Sequence, residues 1–161
     1  MNTDLMNELL KLAEHIRDAN IPYDHNRYFT FGPDVRPGHD GHTCMTAACL
    51  GGYAAEHEPF TKLGLHRGTL LATPQGHANE ERVPVYAEPR LGARLVGLGA
   101  LCALFELTEQ QGDYIFGVTD EDIYKAEGYD YNEDNIAEFA EVDYSLPAVI
   151  ARLKRVMAGE I

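Results

Sequence analysis

Four potential metal or nucleophile ligands, His39, His42, Cys44 and Cys49, fall within eleven residues of one another. Imidazole nitrogen and thiolate sulfur are the usual donors to zinc, although this spacing matches no standard finger. If Cys44 and Cys49 share a helix, five residues turn them about 140° apart, which opposes joint ligation of one ion. His39, His42 and Cys44 remain as a loop-borne alternative. Cys44 close to a helix start, with histidines just upstream, also resembles a poised thiolate. A nucleophile needs a base and an orienting group, and no such constellation accompanies it. The plainer expectation makes both cysteines small core residues that are reduced and metal-free.

The second chemical feature is acidic. Of 26 acidic and 13 basic residues in the chain, ten carboxylates and one lysine lie between Thr119 and Asp143. That is a net −9 in 25 residues, against −4 in the other 136. Asp130, Asn132, Asp134, Glu138 and Glu141 occupy positions 1, 3, 5, 9 and 12 of a calcium-binding loop. Asn135 stands where that loop needs glycine, and Ala137 where it carries a bulky aliphatic. A field of this sign repels phosphate backbones and attracts basic proteins or cations. Tyr124, Tyr129 and Tyr131 supply the aromatic anchors common in protein interfaces. The expected binding surface therefore comprises Tyr124, Tyr129, Tyr131, Glu133, Asp134, Glu138 and Glu141. Its plainer counterpart is a solvated, solubilising flank.

These residues have to be positioned by a modest core. The chain has 161 residues, 45% apolar, which suits one domain burying roughly 70% of its unfolded surface. The longest uncharged apolar run, Leu95 to Phe105, has 11 residues, short of the roughly 20 that cross a bilayer. The opening Met1-Asn2-Thr3-Asp4 lacks the basic start of a secretion signal, and three cysteines cannot all pair. A cytoplasmic protein, with no membrane segment and no cofactor, is the expectation.

Apolar periodicity predicts the elements. Leu5, Leu9, Leu12 and Ile16 mark a first helix, capped by Thr3 and stopped by Asn20 and Pro22. Cys44 to Glu56 reads as a buried helix whose Ala47, Gly51 and Ala55 form a close-packing face. Two short strands, near Thr69 to Ala72 and Arg82 to Tyr86, flank Pro74-Gln75-Gly76 as a hairpin. Leu91, Leu95, Leu98, Cys102 and Phe105 read as one helix from Arg90. Thr108 to Gln111 has the spacing of a capping box, and Ser145-Leu146-Pro147 starts a last helix. The expected fold is mainly α. It is a compact single-domain helical bundle of about five helices over 1–161, with a small irregular or β-hairpin insert and a candidate flexible acidic segment at 119–143.

The ordered segments Leu9 to Arg17 (LLKLAEHIR), Cys44 to Ala54 (CMTAACLGGYA), Leu104 to Gly117 (LFELTEQQGDYIFG) and the closing PAVIARLKRVMAGE from Pro147 carry a resemblance. The chain resembles a family of short, largely uncharacterised tailed-phage and prophage proteins with a C-x-T-x-A-C-x-x-G-x-A motif. Met45 stands where such proteins often have glycine. The resemblance implies a helical fold and a phage or prophage setting, and it supplies no established catalytic residues to carry over. Together with the charge it makes the expected function a non-enzymatic phage accessory protein. Such a protein would bind a basic host protein, for instance to inhibit a defence factor. A DNA mimic of the anti-restriction type is the alternative, and a metal- or thiol-dependent protein using His39 to Cys49 is another.

Overall fold

The computed structural model describes residues 1–25, 30–31, 46–47, 49–70, 81–88, 93–117, 120–129 and 142–161. Helix α1 spans Thr3–Asp18 and buries Met6, Leu9, Leu12, Ala13 and Ile16. Asn2, rather than the expected Thr3, is its cap, with Oδ1 accepting from the Leu5 N–H at 3.2 Å. Asn20 follows with φ 52°, a left-handed step that ends the helix.

A two-stranded antiparallel ladder pairs β1 (Thr30–Phe31) with β2 (Thr46–Ala47). The helix expected from Cys44 therefore begins late. Cys49 is extended (φ −74°, ψ 173°) and caps α2, which covers only Leu50–Ala54. Backbone pairing at Thr46 and Ala47 displaces the helical state there. Ala47, expected to share a helical face with Gly51 and Ala55, lies in β2 instead, although Gly51, Gly52, Ala54 and Ala55 are buried. The Tyr53 hydroxyl donates to the Pro22 carbonyl oxygen and anchors α2 to the end of α1. A short α3 (Glu58–Thr61) then sends Phe60 into the core.

The principal departure from a helical bundle comes next. β3 (Leu65–Leu70), β4 (Glu81–Glu88) and β5 (Ala93–Val96) form an antiparallel sheet in that spatial order. The β3–β4 pairing, Leu65↔Tyr86 through Leu70↔Glu81, contains the expected second strand but sets the first one earlier, and the Pro74-Gln75-Gly76 turn lies outside the described residues. β5 falls inside what reads as a single helix from Arg90. It pairs Val85↔Val96 through Glu88↔Ala93, and Gly97 (φ 58°) redirects the chain into α4, Gly97–Phe105. The molecule is thus an α/β mix, and the all-helical architecture is overturned.

Helices α5 (Glu109–Phe116), α6 (Asp120–Ala126) and α7 (Leu146–Met157) complete the described chain. The capping box at α5 is complete: Thr108 Oγ1 accepts from Gln111 N–H at 3.1 Å, and Gln111 Oε1 from Thr108 N–H at 3.2 Å. α4 and α5 approach closely at Gly112, where a Cβ would run into Cys102 Sγ and Leu98. α7 starts at Ser145 as expected and packs along α1. Phe60 and Phe105 meet edge-to-face at 5.1 Å, and Phe105 and Phe116 stack at 6.4 Å. This aromatic line joins the sheet side of the core to α5.

Candidate interaction surface

α6, packed against α5, carries the start of the acidic run, Asp120, Glu121 and Asp122. Glu121 is exposed and pairs with Lys125 one turn later. After Ala126 the chain turns through Gly128 (φ 88°), and the Tyr129 N–H donates to the Tyr124 carbonyl at 3.0 Å. That turn brings the two tyrosines together edge-to-face, 5.8 Å apart and 81° between planes. Tyr129 is 54% exposed, high for a ring of its size, whereas Tyr124 is half-buried. Two of the tyrosines expected to share a face therefore do so.

Behind this face lies a polar network that joins α5, α6 and α7. The buried Tyr114 hydroxyl donates to Glu127 Oε1 at 2.8 Å. Arg155 Nη1 donates to the same carboxylate oxygen at 2.6 Å and also to the Tyr114 oxygen, while its Nε reaches Glu160 at 3.1 Å. Burial and the adjacent Glu127 carboxylate push the Tyr114 phenol up to about 12. Glu127 raises Arg155 further above its ordinary value. Gln110 Nε2 donates to the Ala126 carbonyl at 2.6 Å and closes the end of α6. The network ties the end of α6 to α5 and α7.

Among the other expected site residues, Tyr131, Glu133, Asp134, Glu138 and Glu141 lie outside the described residues, as does the whole calcium-loop pattern from Asp130 to Glu141. His39, His42 and Cys44 lie outside them too. Cys49 is described. It is buried, and burial pushes its thiol up to about 11, although the Gly51 and Gly52 N–H groups pull it the other way. A thiol so placed is a core residue rather than a nucleophile. No group of three or more His, Cys, Asp or Glu among the described residues could hold a metal ion. No described helix is long and apolar enough to cross a membrane.

Sequence reading missed Glu127, Arg152, Arg155 and the buried His25. A signal for Arg152 was present, since it falls three residues after Val149 and four before Val156, on the apolar stripe of α7. An arginine at such a position has either a snorkelling stem or a buried head. No protein-family profile matches the chain, and no curated protein or solved structure is significantly similar to it.

Proposed function

We propose that the protein works by binding a basic partner protein through the acidic, tyrosine-bearing face around α6, and not by catalysis. The observation that carries this reading is Tyr129, held edge-to-face on Tyr124 and 54% exposed, within a stretch of sequence rich in carboxylates. An exposed aromatic ring in a strongly charged stretch of chain suits an oppositely charged partner. The net −9 between Thr119 and Asp143 supplies the long-range attraction. The resemblance to phage and prophage proteins makes a host protein the proposed partner, with inhibition as the consequence of binding.

The test is capture from a bacterial lysate at low and high salt, comparing the natural chain with a Tyr129→Ser, Glu121→Gln variant. The expected result is one dominant basic protein, retained at low salt and lost as screening shortens toward roughly 3 Å at 1 M. The variant should retain much less of it while melting at the same temperature. Equal retention by the variant, or capture indifferent to salt, refutes this reading.

A further inference from the structure

His25 is a buried polar residue, 6% exposed, set where three parts of the chain meet. Its Nε2 bonds to the Gly117 carbonyl oxygen at the end of α5, across 2.7 Å. Its ring packs 5.0 Å from that of Tyr144, directly ahead of the α7 cap Ser145. Gly117 and Tyr144 flank, in sequence, the stretch from Thr119 to Asp143 with its ten carboxylates. One imidazole therefore touches a residue on either side of the acidic stretch and ties both to the segment after α1. Arg152 supports the second tie, with Nη1 on the Asp143 carbonyl oxygen at 2.9 Å and its guanidinium carbon 5.8 Å from the centre of the Tyr144 ring.

The groups around the ring suit its neutral form. A carbonyl oxygen only accepts, so Nε2 carries the proton and Nδ1 is left to accept from the Tyr23 hydroxyl at 2.8 Å. A second proton makes Nδ1 a donor facing a hydroxyl that is itself donating. It also sets a cation in a buried site beside the Arg152 guanidinium. Asp24 and the Gly117 carbonyl favour that cation, but burial outweighs them. Hydration relieves the charge, and the ring reaches water only by leaving Gly117 and Tyr144.

We propose that His25 is a pH-sensitive clamp on the two ends of the acidic stretch: neutral, it holds Gly117 and Tyr144 to the body, and protonated in mild acid it releases both. The opening is local, because the packing of α1 on α7 and the Phe60–Phe105 pair involve other residues. α6 keeps its own ties through Gln110 and Glu127. The clamp needs no partner to operate. Its consequence for docking rests on the reading of the acidic face given above: the face loosens in mild acid while carboxylates, with ordinary pKa values of about 4, are still charged.

Amide hydrogen exchange on the full chain at pH 7.5 and 5.5, corrected for the intrinsic effect of pH on exchange, tests the clamp. The probe is the Gly117 N–H, which donates to the Asp113 carbonyl at 2.7 Å in the last turn of α5. Leu9 in α1 and Leu153 in α7, both fully buried, are the controls. The expected result is a fall in Gly117 protection of about tenfold or more at the lower pH, with the controls unchanged. His25→Gln, which keeps a neutral donor for Gly117 and does not titrate, should show no such fall. Steady protection at Gly117, an equal fall at the controls, or the same fall in the variant overturns the proposal. The ring C–H resonances of His25 give a check in the natural chain alone. Their titration midpoint should coincide with the midpoint of Gly117 opening, and a gap of more than about one pH unit overturns the clamp. Because exchange is read without a partner, a failed capture from lysate refutes the docking reading and leaves the clamp standing.

Discussion

His25 donates its Nε2–H to the carbonyl oxygen of Gly117 across 2.7 Å, joining the segment after α1 to the end of α5. A carbonyl can only accept, so this bond fixes the proton on Nε2 and leaves Nδ1 to accept from the Tyr23 hydroxyl at 2.8 Å. Burial favours the neutral ring, with Tyr144 5.0 Å away.

This arrangement makes folding sensitive to mild acid. Burial, and secondarily the nearby Arg152 charge, lower the His25 pKa, although the Gly117 carbonyl and Asp24 oppose the shift. The unfolded chain then binds the proton more readily than the folded one. The histidine's contribution is complete above the unfolded value of about 6.5 and is lost as pH falls through it toward the lower folded value. Urea unfolding at a series of pH values between 8 and 5 should show a shallower acid loss in His25→Gln than in the natural chain, at ~1 RT-scale resolution. Parallel curves would assign the acid sensitivity elsewhere.

Gly112 should resist even a methyl group. Its Cβ would collide with Cys102 Sγ, so Gly112→Ala is expected to cost about 1–3 kcal/mol, although alanine is the better helix former. Adding Cys102→Ala removes the struck atom and should recover part of the loss. A double-mutant cycle in urea measures the coupling, and strict additivity would show that α4 and α5 do not touch here.

Tyr114 and Glu127 should behave as one unit with Arg155. Tyr114→Phe loses a buried hydroxyl that bonds to a carboxylate, for a cost of about 1–2 kcal/mol. Glu127→Ala removes the shared acceptor, and the double variant should lose less than the sum of the two. Full additivity would mean that the three side chains stabilise the helices independently.

Replacing Arg152 by methionine should make the chain more stable, by about 1 kcal/mol. The substitution keeps much of the stem's packing and removes a buried cation whose Nε and Nη2 have no partner. The bond to the Asp143 carbonyl and the Tyr144 contact are lost, which sets a limit on the gain. A raised melting temperature would mean that Arg152 is kept at the expense of stability, as binding residues often are. A large fall would make it a structural residue.

How far the sequence revealed this fold differs from element to element, for identifiable reasons. α1, α5 and α7 were legible because a long apolar stripe or a local cap decides them, and Thr108, Gln111 and Ser145 act within a few residues of themselves. β5 was not legible. Leu91, Leu95 and Leu98 repeat at helical spacing, and only pairing with Val85 to Glu88, five to eleven residues earlier in the chain, makes Ala93–Val96 extended. The same holds for Thr46 and Ala47, which need Thr30 and Phe31 beside them. At the candidate surface, Tyr124 and Tyr129 were readable as interface residues by type. The Tyr114–Glu127–Arg155 cluster was not, because its members come from three elements whose packing no spacing rule encodes.

The pairing of α1 with α7 bears on how the chain is made. Lys154 reaches Glu14 at 3.1 Å across 140 residues of sequence, and the two helices lie against each other along their apolar sides. The sheet and the helices that follow it draw on neighbours much nearer in sequence, and such local contacts close at lower entropic cost. During synthesis on the ribosome, α1 therefore emerges well before the helix that covers it. Leu9, Ala13 and Ile16 stay available to chaperones until α7 has left the exit tunnel.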